Sequence, residues 1–170
     1  MRFLDIVFSS IGLLTLSPLL ILIYLLGLFD TGHPLFFQKR IGIKQKTFVI
    51  VKFRTMKLNT LSSGTHLVDP SKITFLGNFL RKTKLDELPQ LWNVLVGSMS
   101  LVGPRPCLLN QKRLIIERKK RGVFRAKPGI TGLSQVLDIT MKNPKLLAKT
   151  DSKMLKKMTF TNYLYYILIT

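Results

Sequence analysis

Acidic residues are scarce in this sequence. Its 170 residues include 8 Asp and Glu against 27 Lys and Arg, which gives a formal net charge of +19 at pH 7. Such an excess of positive charge requires anionic partners, and nucleic acid, anionic lipid headgroups and phosphorylated metabolites are the candidates. Because carboxylates are so few, two of them side by side within a run of cations need a specific explanation.

Cysteine and histidine are almost absent as well. Cys107 stands alone, which excludes an intrachain disulfide framework and a Cys-rich zinc site. We expect Cys107 to be a small, buried apolar residue on the reducing side of a membrane. His66 lies in a polar segment and is more typical of a surface histidine than of a ligand.

Between residues 6 and 29 the chain carries no charge and consists mainly of Leu, Ile, Val and Phe. This length is roughly that of a helix crossing a bilayer. Pro18 follows Ser17 near the middle, and proline kinks or breaks a helix because it lacks a backbone donor. Two arrangements remain open. Residue-level physics favours a kinked spanning helix, because re-entrant segments that return to the same face are uncommon. The basic remainder belongs on the cytoplasmic side.

The rest of the chain predicts an α+β, mainly helical fold. Residues 35–42 and 47–56 are rich in aromatic and β-branched residues and predict a β-hairpin, with 42–46 as the connector. The polar residues 59–71 predict a loop over a site. Helical patterns cover residues 73–82, 88–96, the basic and amphipathic 108–121, the lysine-rich 141–157, and 160–169, whose apolar residues and tyrosines suit a membrane interface.

The length allows one domain with a real core. We therefore divide the chain into a membrane segment, residues 1–30, and a cytoplasmic domain, residues 31–170, that forms one integrated unit.

Asp86 and Glu87 are adjacent and lie in a dense run of cations, with Arg81 before them and Arg105 after them. We expect the neighbouring cations to hold both carboxylates ionised, and an ionised carboxylate serves as a nucleophile or as a ligand of Mg²⁺. The cations would hold the phosphates of an anionic substrate, which indicates phosphoryl transfer. The alternative is that the pair merely opens a helix, with Pro89 in its first turn.

Several motifs together resemble the bacterial sugar transferase family, the monotopic polyprenyl-phosphate phosphoglycosyl transferases. The resemblance extends in order over nearly the whole chain and is to the short form, the catalytic domain alone. It rests on RFLD at residues 2–5, Ser17-Pro18, FFQKRIG at 36–42, KFRTM at 52–56, LDELPQLWN at 85–93, GSMSLVGPRP at 97–106 and PGITG at 128–132.

The resemblance implies a re-entrant helix-break-helix whose turn is Ser17-Pro18, and so a monotopic protein on the cytoplasmic face of the bacterial inner membrane. It implies transfer of a sugar 1-phosphate from a UDP-sugar to a polyprenyl phosphate such as undecaprenyl phosphate, with release of UMP. This hexose-1-phosphate transfer would be the first membrane step in the assembly of O-antigen, capsule or a related glycan. The implied partners are the donor, the acceptor and anionic lipid headgroups, with a homodimer as a further candidate and no nucleic acid.

Residue by residue, the resemblance implies that Asp86 attacks the β-phosphorus and forms a phosphosugar intermediate. Glu87 would bind Mg²⁺ together with Asp86 or assist the second step. Arg81 and Arg105 match phosphate-contacting arginines, and four weaker phosphate-binding candidates are Arg40, Lys52, Arg54 and Lys127.

Two departures from the family pattern bear on the substrate. Lys127 stands where many relatives carry arginine, so the positive charge is kept but the planar group that binds phosphate through two hydrogen bonds is not. The residues after Gln135 leave the common Asn-Gly-Arg-Asn pattern, so the sugar stays open. We expect an N-acetylated hexosamine, 6-deoxy sugars included.

A basic protein without catalysis, bound to a membrane surface or to nucleic acid, is the alternative function. It explains the charge and the apolar segment but gives no role to Asp86 and Glu87 beside Arg105. Binding of nucleic acid is further disfavoured because the chain carries no recognition motif and no interleaved aromatic platform.

Overall fold

A computed structural model describes residues 1–58, 60 and 69–169 of the chain. The predicted loop at 59–71 therefore lies largely outside the described residues, and His66 lies wholly outside them. The helices of the described part are α1 Arg2–Thr15, α2 Ser17–Thr31, α3 Phe75–Lys82, α4 Gln90–Leu95, α5 Lys112–Lys120, α6 Leu133–Val136, α7 Pro144–Lys156 and α8 Phe160–Leu168. The strands are β1 Leu35–Ile41, β2 Thr47–Phe53, β3 Ser100–Val102 and β4 Gly129–Thr131. The predicted α+β, mainly helical class is confirmed.

The N-terminal apolar segment is broken where the sequence predicts a break. Helices α1 and α2 meet at Leu16 and are bent by 62°. Pro18 lies in the first turn of α2, where its missing N–H has no intrahelical partner to lose, and the Ser17 hydroxyl donates to Leu14 O at 2.7 Å. No one helix among the described residues has the length and apolarity to cross a membrane, whereas the bent pair does when both helices are taken together.

Helix α1 is tied to the rest of the protein by two charged side chains. Arg2 donates to Val94 O at 2.5 Å and to Leu95 O at 2.6 Å, at the end of α4. Asp5 is buried, and its Oδ1 accepts from the Leu101 N–H at 2.8 Å. The same oxygen accepts from the hydroxyls of Ser100, at 2.9 Å, and Tyr163, at 2.6 Å. The start of the apolar segment is thereby anchored to α4, β3 and α8, while the division at residue 30 stays a prediction.

The predicted β-hairpin is confirmed. Strands β1 and β2 are antiparallel, with Leu35 opposite Phe53 and Ile41 opposite Thr47. Asn93 of α4 fixes β2 from one side, because its Oδ1 accepts from the Val51 N–H at 3.0 Å and its Nδ2 donates to Val49 O at 2.8 Å. The hairpin is therefore held against the helix that follows the acid pair.

A second, parallel strand pair was not predicted from the sequence. Ser100 of β3 lies opposite Gly129 of β4. A Cβ on Gly129 would lie 2.0 Å from the Gly103 nitrogen, so the close approach of the two backbones requires glycine. The Gly129 N–H also donates to Pro104 O at 3.0 Å. The loop that carries Arg105 is thus packed directly on β4.

The predicted helices are present but shorter than their patterns. The largest difference is at α5, predicted from residue 108 and observed from Lys112. Leu108 and Gln111 form a closed turn instead, since the Leu108 N–H donates to Gln111 Oε1 at 2.9 Å. The burial predicted for Cys107 is confirmed, and this burial raises the pKa of its thiol. The largest core cluster contains Ile50, Val94, Met99, Leu101, Val102, Met154, Tyr163 and Tyr166.

Candidate active site

Asp86 and Glu87 lie in a short 3-10 turn, Leu85–Glu87, between α3 and α4. The turn follows Lys84, whose φ of 57° reverses the chain after α3. Helix α4 begins only at Gln90, and its cap residue is Pro89, which makes no side-chain capping bond. The acid pair therefore precedes the helix rather than capping it, and both carboxylates line a cavity.

This cavity has a volume of about 490 Å³ and lies between the hairpin, α3, the acid turn and the loop that carries Arg105. It brings together seven of the eight sequence-predicted catalytic and phosphate-binding residues, and Lys127 is not among its lining residues. Its charged and polar lining includes Gln38, Arg40, Lys52, Arg54, Thr55, Arg81, Asp86, Glu87, Arg105 and Gln135.

Glu87 is paired with two cations through one oxygen. Its Oε1 lies 3.0 Å from Lys52 Nζ and also binds Arg105 Nη2. The side chains of Lys52 and Glu87 are each 16% exposed, whereas that of Arg105 is 47% exposed. Burial acts to raise the pKa of Glu87, but Arg105 and Lys52 outweigh it and lower this pKa to about 2. Glu87 is therefore a carboxylate at any physiological pH.

Asp86 shifts in the opposite direction. Burial raises its pKa, Glu87 adds to the rise, and Lys52, Arg81 and Arg105 only offset it in part. The neighbouring cations therefore decide the direction of the pKa shift at Glu87, whereas burial decides it at Asp86. Two neighbouring carboxyl groups whose pKa values are driven apart are suited to different chemical roles.

Arg81 lies near Asp86 as Arg105 lies near Glu87. The Arg81 Nε donates to Thr55 Oγ1 at 2.9 Å, which orients the guanidinium along the cavity wall. Burial lowers the pKa of Arg81, and Asp86 is the carboxylate that opposes this shift. Each member of the acid pair therefore has an arginine beside it, and the two arginines come from different elements.

Arg40 and Lys52 add charge from the hairpin. Arg40 donates through Nη1 to Pro106 O at 3.2 Å and through Nη2 to Gln38 Oε1 at 2.5 Å. Burial, with Arg105 adding to it, lowers the pKa of Arg40 to about 10, and burial also lowers the pKa of Lys52. Arg40 is still a cation at neutral pH, so the hairpin side of the cavity is a preformed binding site for anionic oxygens.

Two of the predicted phosphate-binding residues are placed differently. Arg54 lines the cavity. Its Nε also donates to His33 O at 2.8 Å and its Nη2 to Leu35 O at 3.2 Å, so it stabilises the backbone at the start of β1. Lys127 lies elsewhere: a Cβ on Gly97 would be 3.4 Å from its Nζ and 3.1 Å from Arg2 Nη2. The structure therefore groups Lys127 with Arg2 near the end of α4.

By themselves, the two carboxylates of the acid pair provide only part of the ligands that a magnesium ion needs. The described residues contain no group of three or more His, Cys, Asp and Glu side chains that would enclose a metal. Magnesium is commonly bound by one or two carboxylates, several waters and the phosphates of a substrate. Asp86 and Glu87 match that donor set, because both line the cavity. The two cations paired with Glu87 both bind its Oε1, so its Oε2 takes no part in these ion pairs.

An apolar cavity of similar size, about 490 Å³, lies beside the hairpin. Phe53 contributes to both cavities, but Gln38 and Lys52 line the polar one whereas Phe37 and Val51 line the apolar one, so the two cavities flank opposite faces of the hairpin. The lining residues of the apolar cavity other than Phe53 come from the bent helix pair, the hairpin and the start of α4, and they are Leu13, Leu20, Ile21, Tyr24, Leu35, Phe37, Val51, Pro89 and Trp92.

Sequence reasoning missed three glutamines near the acid pair. Gln38 accepts from Arg40, Gln135 lines the polar cavity, and Gln90 is only 2% exposed. The Oε1 of Gln135 and the Nε2 of Gln90 are buried without a hydrogen-bond partner among the described residues. The sequence did carry a signal for Gln90: it is a polar residue inside the acid motif and next to apolar residues. A buried amide in such a position needs hydrogen-bond partners.

Comparisons with known proteins identify the family of the chain. A family model described as bacterial sugar transferase matches residues 1–170. An uncharacterized sugar transferase of Haemophilus influenzae is 41% identical over 155 residues, which cover 79% of this chain and 32% of the relative. The undecaprenyl-phosphate galactose phosphotransferase of Salmonella typhimurium is 40% identical over 155 residues, with coverages of 79% and 32%. The UDP-glucose:undecaprenyl-phosphate glucose-1-phosphate transferase of Escherichia coli is 43% identical over 140 residues, with coverages of 78% and 30%. The chain thus spans about a third of the length of these three relatives.

Proposed function

Because this chain belongs to the bacterial sugar transferase family, we propose that it moves a sugar 1-phosphate from a UDP-sugar to a polyprenyl phosphate and releases UMP. The observation that carries the proposal is a pair of adjacent carboxyl groups, Asp86 and Glu87, with opposite pKa shifts in a cavity lined by cations. The relatives from Escherichia coli and Salmonella typhimurium are named for transfer of this kind to undecaprenyl phosphate.

In the first step, a carboxylate oxygen of Asp86 attacks the β-phosphorus of the UDP-sugar. The bond between that phosphorus and the bridging oxygen breaks, UMP leaves with the oxygen, and the sugar phosphate is left esterified to Asp86. Arg81 and Arg105 neutralise the charge that develops on the phosphoryl oxygens. The raised pKa of Asp86 supports this assignment, because a more basic carboxylate donates its electrons more readily.

In the second step, an oxygen of the polyprenyl phosphate attacks the phosphorus of the intermediate. The bond to Asp86 breaks, the carboxylate is regenerated, and the product is a polyprenyl diphosphate sugar. Both steps exchange one phosphorus–oxygen bond for another at the same carboxylate, so the kinetics should be ping-pong.

Glu87 has a role other than proton transfer. A carboxyl group whose pKa is about 2 is not protonated near neutral pH, and Glu87 already holds Lys52 and Arg105. We propose that Asp86 and Glu87 hold Mg²⁺ together with the substrate phosphates. The ion would supply positive charge against the phosphoryl oxygens.

The acceptor's hydrocarbon chain needs apolar surroundings, and the apolar cavity between the bent helix pair, the hairpin and the start of α4 supplies them. We propose that the bent helix pair is re-entrant in the cytoplasmic leaflet and that the protein is monotopic on the cytoplasmic face of the inner membrane. Large apolar side chains at the helix pair and at α3 support this, since Phe29 is 91% and Phe75 is 94% exposed. The basic surface would face anionic headgroups.

The donor sugar is proposed separately from the reaction. We keep the expectation of an N-acetylated hexosamine, while relatives of this chain are named for glucose and galactose. A homodimer and a place at the start of O-antigen or capsule assembly also stay predictions.

The test is a UMP-release assay with the protein in lipid nanodiscs, undecaprenyl phosphate and a panel of UDP-sugars. The panel includes UDP-glucose, UDP-galactose and UDP-N-acetylhexosamines. We expect UMP release with at least one donor, and a donor labelled in its β-phosphate should label the wild-type protein when the acceptor is left out. Absence of UMP with every donor would favour a basic membrane-surface protein without catalysis.

A further inference from the structure

A small recess lies next to Arg40, Lys52 and Arg105 of the polar cavity. Its volume is about 10 Å³, and its walls come from both hairpin strands, the first residue of α4, the Arg105 loop and β4. The side chains of Arg40, Lys52 and Arg105 line both the recess and the larger polar cavity. An atom entering from the larger cavity would therefore reach the recess past three cations.

Two residues that line this recess each carry a buried N–H donor without a partner. The donors are Arg40 Nε and Gln90 Nε2, neither of which has a hydrogen bond within the part of the chain that the structure describes. Gln90 is 2% exposed, so bulk water does not satisfy its amide. A buried donor without an acceptor is costly, and two of them at one recess indicate that an acceptor atom belongs there.

The chemistry of the walls favours an anionic oxygen over water. A volume of about 10 Å³ accommodates roughly one oxygen-sized atom. Three of the four polar side chains at the recess, Arg40, Lys52 and Arg105, are cations that only donate, and the fourth, Gln90, has its Nε2 without an acceptor among the described residues. A water molecule needs acceptors for its own hydrogens as well as donors, whereas a phosphoryl oxygen only accepts.

We propose that this recess receives one phosphoryl oxygen of a substrate and that Gln90, together with Arg40, binds it. The phosphorus and its other oxygens stay in the larger cavity beside Asp86. The inference rests on the proposed function for the identity of the substrate, but binding of a phosphoryl oxygen is a property of the recess itself. The donor diphosphate and the acceptor monophosphate share this chemistry.

The experiment compares the wild type with Gln90→Leu, which keeps the approximate shape and removes the donor. Protein in nanodiscs is titrated with inorganic phosphate while its thermal midpoint is followed, and KM is measured separately for the UDP-sugar and for undecaprenyl phosphate. We expect the phosphate concentration at half-saturation to rise roughly tenfold, the scale of one lost charge-assisted hydrogen bond. A rise in KM for the UDP-sugar alone assigns the oxygen to the donor, and a rise for undecaprenyl phosphate alone assigns it to the acceptor.

A second variant, Gln90→Glu, places the protein's own anionic oxygen at the recess. We expect it to pair with Arg40, to keep the thermal midpoint in the absence of phosphate, and to lose the stabilisation by phosphate. Lys119→Ala is the matched control for surface charge, because Lys119 is exposed on α5, and its half-saturation should stay within about twofold of wild type.

The inference is overturned if Gln90→Leu lowers the thermal midpoint but leaves phosphate half-saturation and both KM values unchanged. The recess would then hold a structural water. If Gln90→Leu does not fold, unchanged phosphate stabilisation of Gln90→Glu has the same meaning. Failure of the proposed function is distinguishable, because it would appear as absence of UMP release by the wild type whatever the phosphate titration shows.

Discussion

The buried ion pair between Arg118 of α5 and Asp151 of α7 should control both stability and the position of Arg105. The two side chains are 3% and 0% exposed. Arg118 donates through Nε at 2.9 Å and Nη2 at 2.7 Å to the same oxygen of Asp151, and its Nη1 donates to Arg105 O at 2.8 Å. Ser134 donates to the other Asp151 oxygen at 2.6 Å. One buried guanidinium therefore links α7 to the backbone of the Arg105 loop.

The perturbation is Asp151→Asn, which keeps the shape and removes the negative charge. Arg118 would remain as a buried cation without its counter-charge, and breaking a buried pair in this way costs about 3–5 kcal/mol. The double variant Asp151→Asn with Arg118→Met should cost less than the single one, because it removes the stranded charge as well.

The assay is unfolding by urea, monitored by circular dichroism, of the wild type and both variants in matched detergent micelles. We also expect kcat/KM of Asp151→Asn to fall, because the Arg105 carbonyl loses a well-placed donor when Arg118 moves. A destabilisation of Asp151→Asn below about 1 kcal/mol, the scale of an exposed pair, would refute the reasoning. Equal costs for the single and double variants would refute the stranded-charge explanation in particular.

Four further predictions concern the acid pair and the membrane segment. Asp86→Asn should abolish UMP release and labelling by the β-phosphate while the thermal midpoint stays near wild type, since the amide loses the nucleophile; activity near wild type would exclude the covalent role. Arg105→Lys should lower kcat/KM by roughly ten- to a hundredfold, because lysine lacks the planar guanidinium and a lost charged hydrogen bond costs about 1.5–3 kcal/mol. A loss no greater than that of Lys119→Ala would contradict this prediction. The pKa of Glu87 is lowered from 4.5 to about 2, so its contribution to stability is present above pH 4.5 and lost as the pH falls towards 2; Glu87→Gln should remove this part of the pH dependence in unfolding titrations, and an unchanged profile would argue against the pairing. In a Cys107-free variant, a cysteine placed at the N-terminus should be labelled only from the cytoplasmic side. Pro18→Ala should shift this labelling towards the periplasm, because alanine restores the backbone donor that one continuous helix through residue 18 would use. Periplasmic labelling of the unsubstituted segment would support a spanning helix.

Local features of the fold could be predicted because they depend on neighbouring residues. Pro18 breaks the apolar helix through its own ring and missing N–H, and the hairpin follows from two runs of β-branched and aromatic residues around a short connector. The turn at Leu108 was missed although it is local, because Gln111 suits a helix interior as well as it suits a side-chain cap. Periodicity therefore predicted which segments are helical better than it predicted where α5 begins.

Features that depend on distant contacts could not be predicted in this way. Strands β3 and β4 have three residues each, and their pairing depends on the close approach of Gly103 and Gly129, which lie far apart in the chain. The placement of Lys127 beside Arg2 likewise follows from the path of the backbone before β4, and no spacing rule connects the two residues. The motif around Lys127 suggested a phosphate contact, whereas the three-dimensional path directs its ammonium group to the end of α4.

For the acid pair, the sequence was enough to identify the two residues but not to predict how their pKa values shift. The position of the pair between Arg81 and Arg105 was enough to identify Asp86 and Glu87 as candidates, but the charges alone implied the same shift for both. Direct contacts make the difference: both carboxyl groups are desolvated, but within the described residues Glu87 forms ion pairs with two cations and Asp86 forms none. Adjacent residues of nearly identical chemistry thus acquire different properties from the side chains that each one touches. It follows that the double substitution Asp86→Glu with Glu87→Asp, which reverses the order of the two acids, would not exchange their roles, because the pair of cations belongs to position 87 and not to the glutamate side chain.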